Sequence, residues 1–291
     1  MACVLMWGAM GGIMSSIWIR KRQSWKAIAW FLLAGPFLVP TVSALGQSMG
    51  HAEVDAGLRA SDAIQPGPEE AASPVIVHQA IVVGFVGGFV RHDDAKHAEV
   101  QFAAQLRQRY ASAIDVKVFG NHAGQEALHH ILRLLDGDSD GILTAAERQQ
   151  ARIILFGHSW GGSQTVLLAR ELDRRHIPVL LTIQVDSIAK PGQENFTIPA
   201  NVENAVNFYQ SKGILHGRSE ILALDPGRTN IIGNFHMTYK DHPVNCEAFP
   251  WYARVFTRPH IEIENDPRVW TQVASLIDSQ LLNGRTLPSL K

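Results

Sequence analysis

The chain has 291 residues, of which 46% are hydrophobic and 18% charged, with a formal net charge of −1. That length and apolar content suit one globular domain with a sizeable core. The near-neutral balance removes any electrostatic case for nucleic acid, and two cysteines, Cys3 and Cys246, make no disulfide framework.

At the N-terminus, Arg20, Lys21, Arg22 and Lys26 form a basic stretch followed by the apolar run AIAWFLLAGPFLVPTVSALG. This order predicts a secretory signal cleaved near Val42-Ser43-Ala44. Residues 1–19 are apolar too, so the alternatives are a start at Met14 or an uncleaved membrane anchor within residues 1–46. Residues 47–74, QSMGHAEVDAGLRASDAIQPGPEEAASP, are polar, Pro/Gly-bearing and aperiodic, which predicts a flexible linker. The folded domain then spans residues 75–291.

From Val75 apolar strands alternate with helical patterns. VIVHQAIVVGFV (75–86) predicts a strand, and Asp93 or Asp94 the cap of a helix running to about Tyr110. DVKVFG (115–120) predicts the next strand, then come a helix near residues 123–135 and the strand RIILFG (152–157). A helix over about 161–174 follows, then strands at IPVLLTIQVD (177–186) and AVNFYQ (205–210), and a last helix after Asp266-Pro267. Near-continuous apolar strands separated by helices predict a three-layer α/β domain, its mostly parallel sheet covered on both faces.

One corner of this pattern carries chemistry. In ARIILFGHSWGGSQTVLLAR (151–170) a buried strand runs into Gly157-His158-Ser159-Trp160-Gly161, and a helical pattern follows at once. A serine at such a strand-to-helix turn is held in strained dihedrals, and glycines at 157, 161 and 162 remove side chains that would clash. Its hydroxyl then stands at a helix N-terminus, where the dipole and free N–H groups favour developing negative charge. With GHSWGG in this context, the chain resembles the α/β-hydrolase family, specifically its lipase and esterase branch, over about residues 75–285.

The resemblance implies that Ser159 is a nucleophile and that an oxyanion loop follows an earlier strand, here IVVGFVGGFV. Gly84, Gly87 and Gly88 would let backbone approach a substrate there, with the Phe85 N–H as one donor and the Trp160 N–H as the second. Many relatives carry His-Gly where this chain has Val83-Gly84. The resemblance also implies an acid and then a histidine after the serine. Asp186, at the end of the strand before it, is the favoured acid, with Asp225 in LALDPGRT as the competitor. His260 in RPHIEIENDPRVW, on the loop before the last helix, is the favoured base, with His236 and His242 as alternatives. His78, His122, His129, His130 and His176 read as ordinary surface or helix residues.

A second motif is LLDGDSDGILTAAE (134–147). Counted from Asp136, oxygen donors fall at loop positions 1, 3, 5, 9 and 12: Asp136, Asp138, Asp140, Thr144 and Glu147. Gly141 holds position 6, and Ile142 offers its carbonyl at position 7. This is the register of an EF-hand calcium loop over 136–147, preceded by a helix with Leu128, Ile131, Leu132 and Leu135 on one face. A single unpaired loop favours a structural Ca2+ over a sensor.

Together these features predict an exported serine hydrolase acting on carboxylic esters, lipase- or esterase-like, with a structural calcium ion. Its expected partners are an ester or lipid-like small molecule and calcium, with membrane attachment through the N-terminus as the alternative to release. A thioesterase, or a non-catalytic calcium-binding protein on a hydrolase scaffold, would share the same pattern.

Overall fold

The computed structural model describes residues 79–283. All of them lie in one compact unit within Ala72–Lys291. The predicted signal or anchor and the linker lie outside the described residues. Among the described residues no helix is long and apolar enough to cross a membrane.

The elements in chain order are β1 (Ala80–Val86), α1 (Ala98–Tyr110), β2 (Ile114–Gly120), α2 (Gly124–Leu135), α3 (Ala145–Gln149), β3 (Ile153–His158) and α4 (Trp160–Asp173). There follow β4 (Val179–Val185), β5 (Thr197–Ile198), β6 (Val202–Tyr209), β7 (Leu222–Ala223) and β8 (Asn230–His236). Three helices, α5 (Trp251–Phe256), α6 (Arg258–Glu264) and α7 (Pro267–Asn283), complete the described chain. Six strands form one sheet in the order β2-β1-β3-β4-β6-β8, every pairing parallel, while β5 and β7 pair by themselves.

Both faces of this sheet are buried, which is why its strands read as continuous apolar runs. Val82, Ile154, Phe156, Ile183 and Val206 face a core closed by Phe102 and Leu106 of α1 and Trp270, Val273 and Ile277 of α7. Their strand neighbours Ile81, Val83, Ile153, Leu155 and Ala205 face the other way, against Leu128 and Ile131 of α2 and Val166 and Leu172 of α4. The period-2 alternation of Val82 against Ile81 and Val83 therefore produces the three layers. Phe156 centres the first core, edge-on to Phe102 at 5.4 Å and to Trp270 at 6.2 Å. A Cβ on Gly84 would lie 2.5 Å from that ring, so this glycine makes room for Phe156.

Two expectations need correction. The first helix begins at Ala98, after the N-cap His97, and neither Asp93 nor Asp94 caps it. Asp93 is held by Arg91, and Asp94 Oδ1 accepts the Lys96 N–H at 3.1 Å, so both carboxylates are spent on the preceding turn. The sheet also gains β8, whose NIIGNFH sequence is too polar to read as a buried strand because it lies at the sheet edge.

The connections leave β1 toward β2 on one side and continue from β3 toward β4 on the other. A cleft opens beyond the C-terminal ends of strands where such a reversal occurs. Gly87, just after β1, and Ser159, just after β3, both lie there.

Candidate active site

Ser159 follows β3 and is the N-cap of α4, with φ 58° and ψ −124°, a backbone conformation few non-glycine residues adopt. Its backbone is pinned: the N–H donates to the Val185 carbonyl at 3.0 Å, and the carbonyl accepts from Ser163 and Ile188. The flanking glycines are sterically required. A Cβ on Gly157 would lie 2.5 Å from the Gly161 carbonyl carbon, and one on Gly161 only 2.1 Å from the Phe85 carbonyl oxygen. Among the described residues the side-chain hydroxyl makes no hydrogen bond, and the Trp160 N–H, first in its helix, has no intrahelical acceptor.

Asp186 directly follows β4, is fully buried and has φ 43°. Oδ1 accepts the Gly217 N–H at 2.6 Å and the Gln210 N–H at 3.3 Å. Oδ2 accepts Gln210 Nε2 at 2.8 Å and lies 2.6 Å from His260 Nδ1. Because the carboxylate is an acceptor, His260 Nδ1 carries a proton and Nε2 is left with its lone pair. His260 sits on the short helix α6 rather than on a loop, is 7% exposed, and lies tilted against the His158 ring at 4.4 Å.

The structure brings Asp186 and His260 together and places their competitors elsewhere. Asp225 closes a turn, accepting the Gly227 N–H at 2.9 Å. His236 stacks on Tyr209 and lies 3.0 Å from Ser211 Oγ, and His242 is exposed on the following loop. Phe85 lies inside β1, paired between β2 and β3, so its peptide belongs to the ladder. Gly87 is the residue that runs alongside Ser159: a Cβ there would lie 2.9 Å from Ser159 Cβ. In the turn that follows, Gly88 (φ 47°) has its carbonyl held by Asn121 Nδ2 at 2.6 Å, while its N–H carries no hydrogen bond among the described residues.

A cleft of about 700 Å³ opens beside this corner, lined among others by Gly88, Phe89, Phe119, Asn121, Trp160 and Lys190. Phe89 is 97% exposed and meets Trp160 edge-on at 5.4 Å. Lys190 lies over the same indole at 5.2 Å, and burial holds its ammonium below the usual lysine range.

Four side chains behind the strand-to-helix elbow at Ser159 are not among the sequence-predicted site residues: His97, Glu99, His158 and Glu264. His158 is buried, with Nε2 3.2 Å from the His260 carbonyl, and burial and its histidine neighbours hold it well below the usual range. Burial and the Glu264 charge push the Glu99 carboxyl up. Burial pulls His97 down, but the hydrogen bond and charge of Glu264, 2.6 Å away, outweigh it and leave the imidazole raised. The only signal for this group is His97-x-Glu99 at the start of a helix, which is common and carries no chemistry by itself.

The acidic loop lies apart from the elbow. Carboxylate oxygens of Asp136, Asp138 and Glu147 fall within 4.8 Å of one another. Asp136 accepts the N–H groups of Asp140 and Gly141, Asp138 that of Asp140, and Asp140 that of Ile142. Gly141 has φ 82°, the left-handed turn that position 6 requires. Glu147 accepts the N–H groups of Gly137 and Thr144, and Thr144 caps α3 in a reciprocal capping box.

No protein-family model and no curated protein sequence matches the chain. Among solved structures, a cutinase-like protein from Cryptococcus sp. is 13% identical with a TM-score of 0.37, over 70% of this chain and 95% of that one. A protein assigned to the α/β hydrolase superfamily from Xanthomonas campestris pv. campestris is 11% identical with a TM-score of 0.33, over 68% and 99%. RedJ, a thioesterase of the prodiginine biosynthetic pathway in Streptomyces coelicolor, is 12% identical with a TM-score of 0.29, over 70% and 91%. Likeness at this level adds no weight to a functional reading, which rests on the geometry of the elbow.

Proposed function

We propose that the protein is a serine hydrolase of carboxylic esters, with Ser159 as nucleophile, His260 as base and Asp186 as its orienting acid. The observation that carries the reading is the buried Asp186–His260 pair, at 2.6 Å, on the same sheet edge as a serine held at φ 58°. A serine hydroxyl is a weak nucleophile until a neighbouring base removes its proton. In the reaction Ser159 Oγ bonds to the ester carbonyl carbon while its proton passes to His260 Nε2. Asp186 stabilises the imidazolium. The carbonyl oxygen, now an anion, is held by the Trp160 N–H and by the unpaired N–H of Gly88, in place of Phe85. Each such donor is worth about 3–4 kcal/mol of barrier. Collapse of the adduct expels the alcohol, which takes the proton from His260. Water then repeats the cycle and frees the acid.

The cleft beside the elbow is walled by Phe89, Phe119 and Trp160, which suits an apolar acyl or alcohol group, so the substrate class is an ester or lipid-like small molecule. The acidic loop completes the proposal. Its converging carboxylates, the Asp136 and Asp138 turns and the left-handed Gly141 fit a calcium ion held by Asp136, Asp138, Asp140, the Ile142 carbonyl and Glu147, with Thr144 at position 9. Bound there, calcium would brace the connection between α2 and the elbow strand β3. Export belongs to the same reading, and N-terminal sequencing tests it. A mature start just after Val42-Ser43-Ala44 supports cleavage, whereas an intact chain in the membrane fraction supports the anchor.

Fluorophosphonate labelling followed by mass spectrometry tests the central claim. An adduct on Ser159 that is absent from Ser159→Ala supports it. Folded, calcium-loaded protein that takes no label refutes it, and then the scaffold binds calcium without catalysis.

A further inference from the structure

The buried group behind the elbow joins three elements, two of which lead into or carry proposed catalytic residues. His97 and Glu99 open α1, His158 precedes Ser159, and Glu264 ends the helix that carries His260. His97 Nδ1 and carboxylate oxygens of Glu99 and Glu264 lie within 4.8 Å of one another. His158 Nδ1 is 3.6 Å from Glu264 Oε2 and 3.9 Å from Glu99 Oε1.

The hydrogen bonding of this group does not close. His158 Nε2 faces the His260 carbonyl, which can only accept, so Nε2 bears the hydrogen and Nδ1 of the neutral ring presents a lone pair. That lone pair points at two carboxylates, which are acceptors as well. Glu99 has no exposed surface, and among the described residues neither of its oxygens has a hydrogen-bond partner. The nearby N–H groups of Gly87 and of Glu99 itself bias it electrostatically without reaching hydrogen-bond geometry. His97 supplies a donor to Glu264 alone, so the Glu99 carboxylate and the His158 lone pair repel one another unless a metal ion or a proton on Glu99 lies between them.

We infer that His97, Glu99, His158 and Glu264 form a binding site for a single divalent transition-metal ion, separate from the calcium loop. Two imidazole nitrogens and two carboxylates are a zinc-type donor set, in contrast to the all-oxygen set at 136–147. Ligand atoms about 2.1 Å from a tetrahedral ion stand about 3.4 Å apart, close to the 3.6 and 3.9 Å separations here. The short His97–Glu264 hydrogen bond would open by under an ångström as the metal replaces its proton. A 2+ ion balances the two carboxylates, so the filled pocket is neutral. The ion would hold His158 in the tautomer that donates to the His260 carbonyl, fixing α6 against the elbow.

The test uses the full chain, stripped with a chelator and titrated with Co2+ in the presence of excess calcium. Tetrahedral Co2+ with nitrogen ligands absorbs strongly in the visible, whereas Co2+ in an oxygen-only loop stays nearly colourless. We expect one strongly absorbing equivalent, displaced by Zn2+, with binding at least tenfold weaker in Glu99→Gln and in His97→Ala and unchanged in Glu147→Gln. Zinc should also raise the melting temperature of the stripped wild type, a readout that needs no folded Glu99 variant. Wild-type protein that takes up no coloured equivalent and shows no zinc-dependent shift overturns the site. In that event the pocket holds a proton on Glu99, and Glu99→Gln should then match or exceed wild-type stability. Metal uptake is read without turnover, so the outcome is independent of whether Ser159 is labelled.

Discussion

Asp186→Asn probes the proposed chemistry most sharply, because the surroundings dictate how the amide must sit. Oδ1 receives two backbone N–H groups, from Gly217 at 2.6 Å and Gln210 at 3.3 Å, and neither can turn into an acceptor. The amide NH2 is therefore forced into the Oδ2 position, facing His260 Nδ1 and Gln210 Nε2. Gln210 cannot flip to receive it, since its Nε2 also donates to the Leu215 carbonyl and its Oε1 accepts the Lys212 N–H. His260 can respond only by moving its proton to Nε2, which leaves no lone pair to accept the Ser159 proton. The comparable aspartate-to-asparagine change in a serine protease lowers turnover about 10⁴-fold by this tautomer error, and a loss of that order is expected here. The unmatched donor pair at Gln210 adds about 1–3 kcal/mol of destabilisation, or about 2–4 °C of melting temperature per kcal/mol for a domain of this size. Hydrolysis of a chromogenic ester and a thermal melt on the same sample check both numbers. Turnover within tenfold of wild type would refute the claim that Asp186 sets the tautomer, and an unchanged melting temperature would refute the claim that Gln210 is locked.

Four further outcomes follow from named contacts. Gly161→Ala places a Cβ 2.1 Å from the Phe85 carbonyl oxygen and 2.7 Å from its carbon, so backbone must part; stability should drop by more than about 3 kcal/mol in urea unfolding, and a drop under 1 kcal/mol contradicts the packing. Calcium at about 10 mM should stabilise the protein by about 1.4–2.7 kcal/mol if its Kd is on the order of 0.1–1 mM, and Glu147→Gln should abolish most of that gain; identical melts in calcium and chelator would dismiss the site. His236→Ala should leave ester hydrolysis within a factor of about two, since that ring contacts Tyr209 and Ser211 and not the elbow; a hundredfold loss would move the base away from His260. Burial and the neighbouring Glu262 push the Cys246 thiol up to about 11. In a Cys3→Ser background, native alkylation at pH 8 should therefore run at least a hundredfold slower than in urea and climb about tenfold per pH unit toward 11. Because the folded thiol holds its proton to higher pH than the unfolded one, its contribution to stability fades as pH rises from about 9 to 11.

How much of this was legible in the sequence depended on whether the cause was local. The strands β1 to β4 and the helices between them announce themselves because burial on both sheet faces demands unbroken apolar runs, and the glycines of 157–162 stand out because each lies where a Cβ would strike backbone. Strand end and chain order point to Asp186 and His260, and the structure sets them 2.6 Å apart. Phe85 shows the limit of that method. Phe85 and Gly88 are three positions apart, and only the pairing of Phe85 with Gly157 and of Val86 with Gly120 shows that the ladder ends at Val86, before the turn that carries the Gly88 N–H. The group behind the elbow was beyond reach for a different reason. His97 and Glu264 are 167 positions apart and meet only because α6 folds back across the N-terminus of α1. Glu99 has no apolar character, yet it has no exposed surface, and nothing in AEVQFAAQLR distinguishes it from a solvated helix-start glutamate. A buried carboxylate without partners is visible only once the rest of the chain has closed around it. The same enclosure that hides it from sequence pattern makes its charge expensive, and a cation bound by all four side chains would offset that expense.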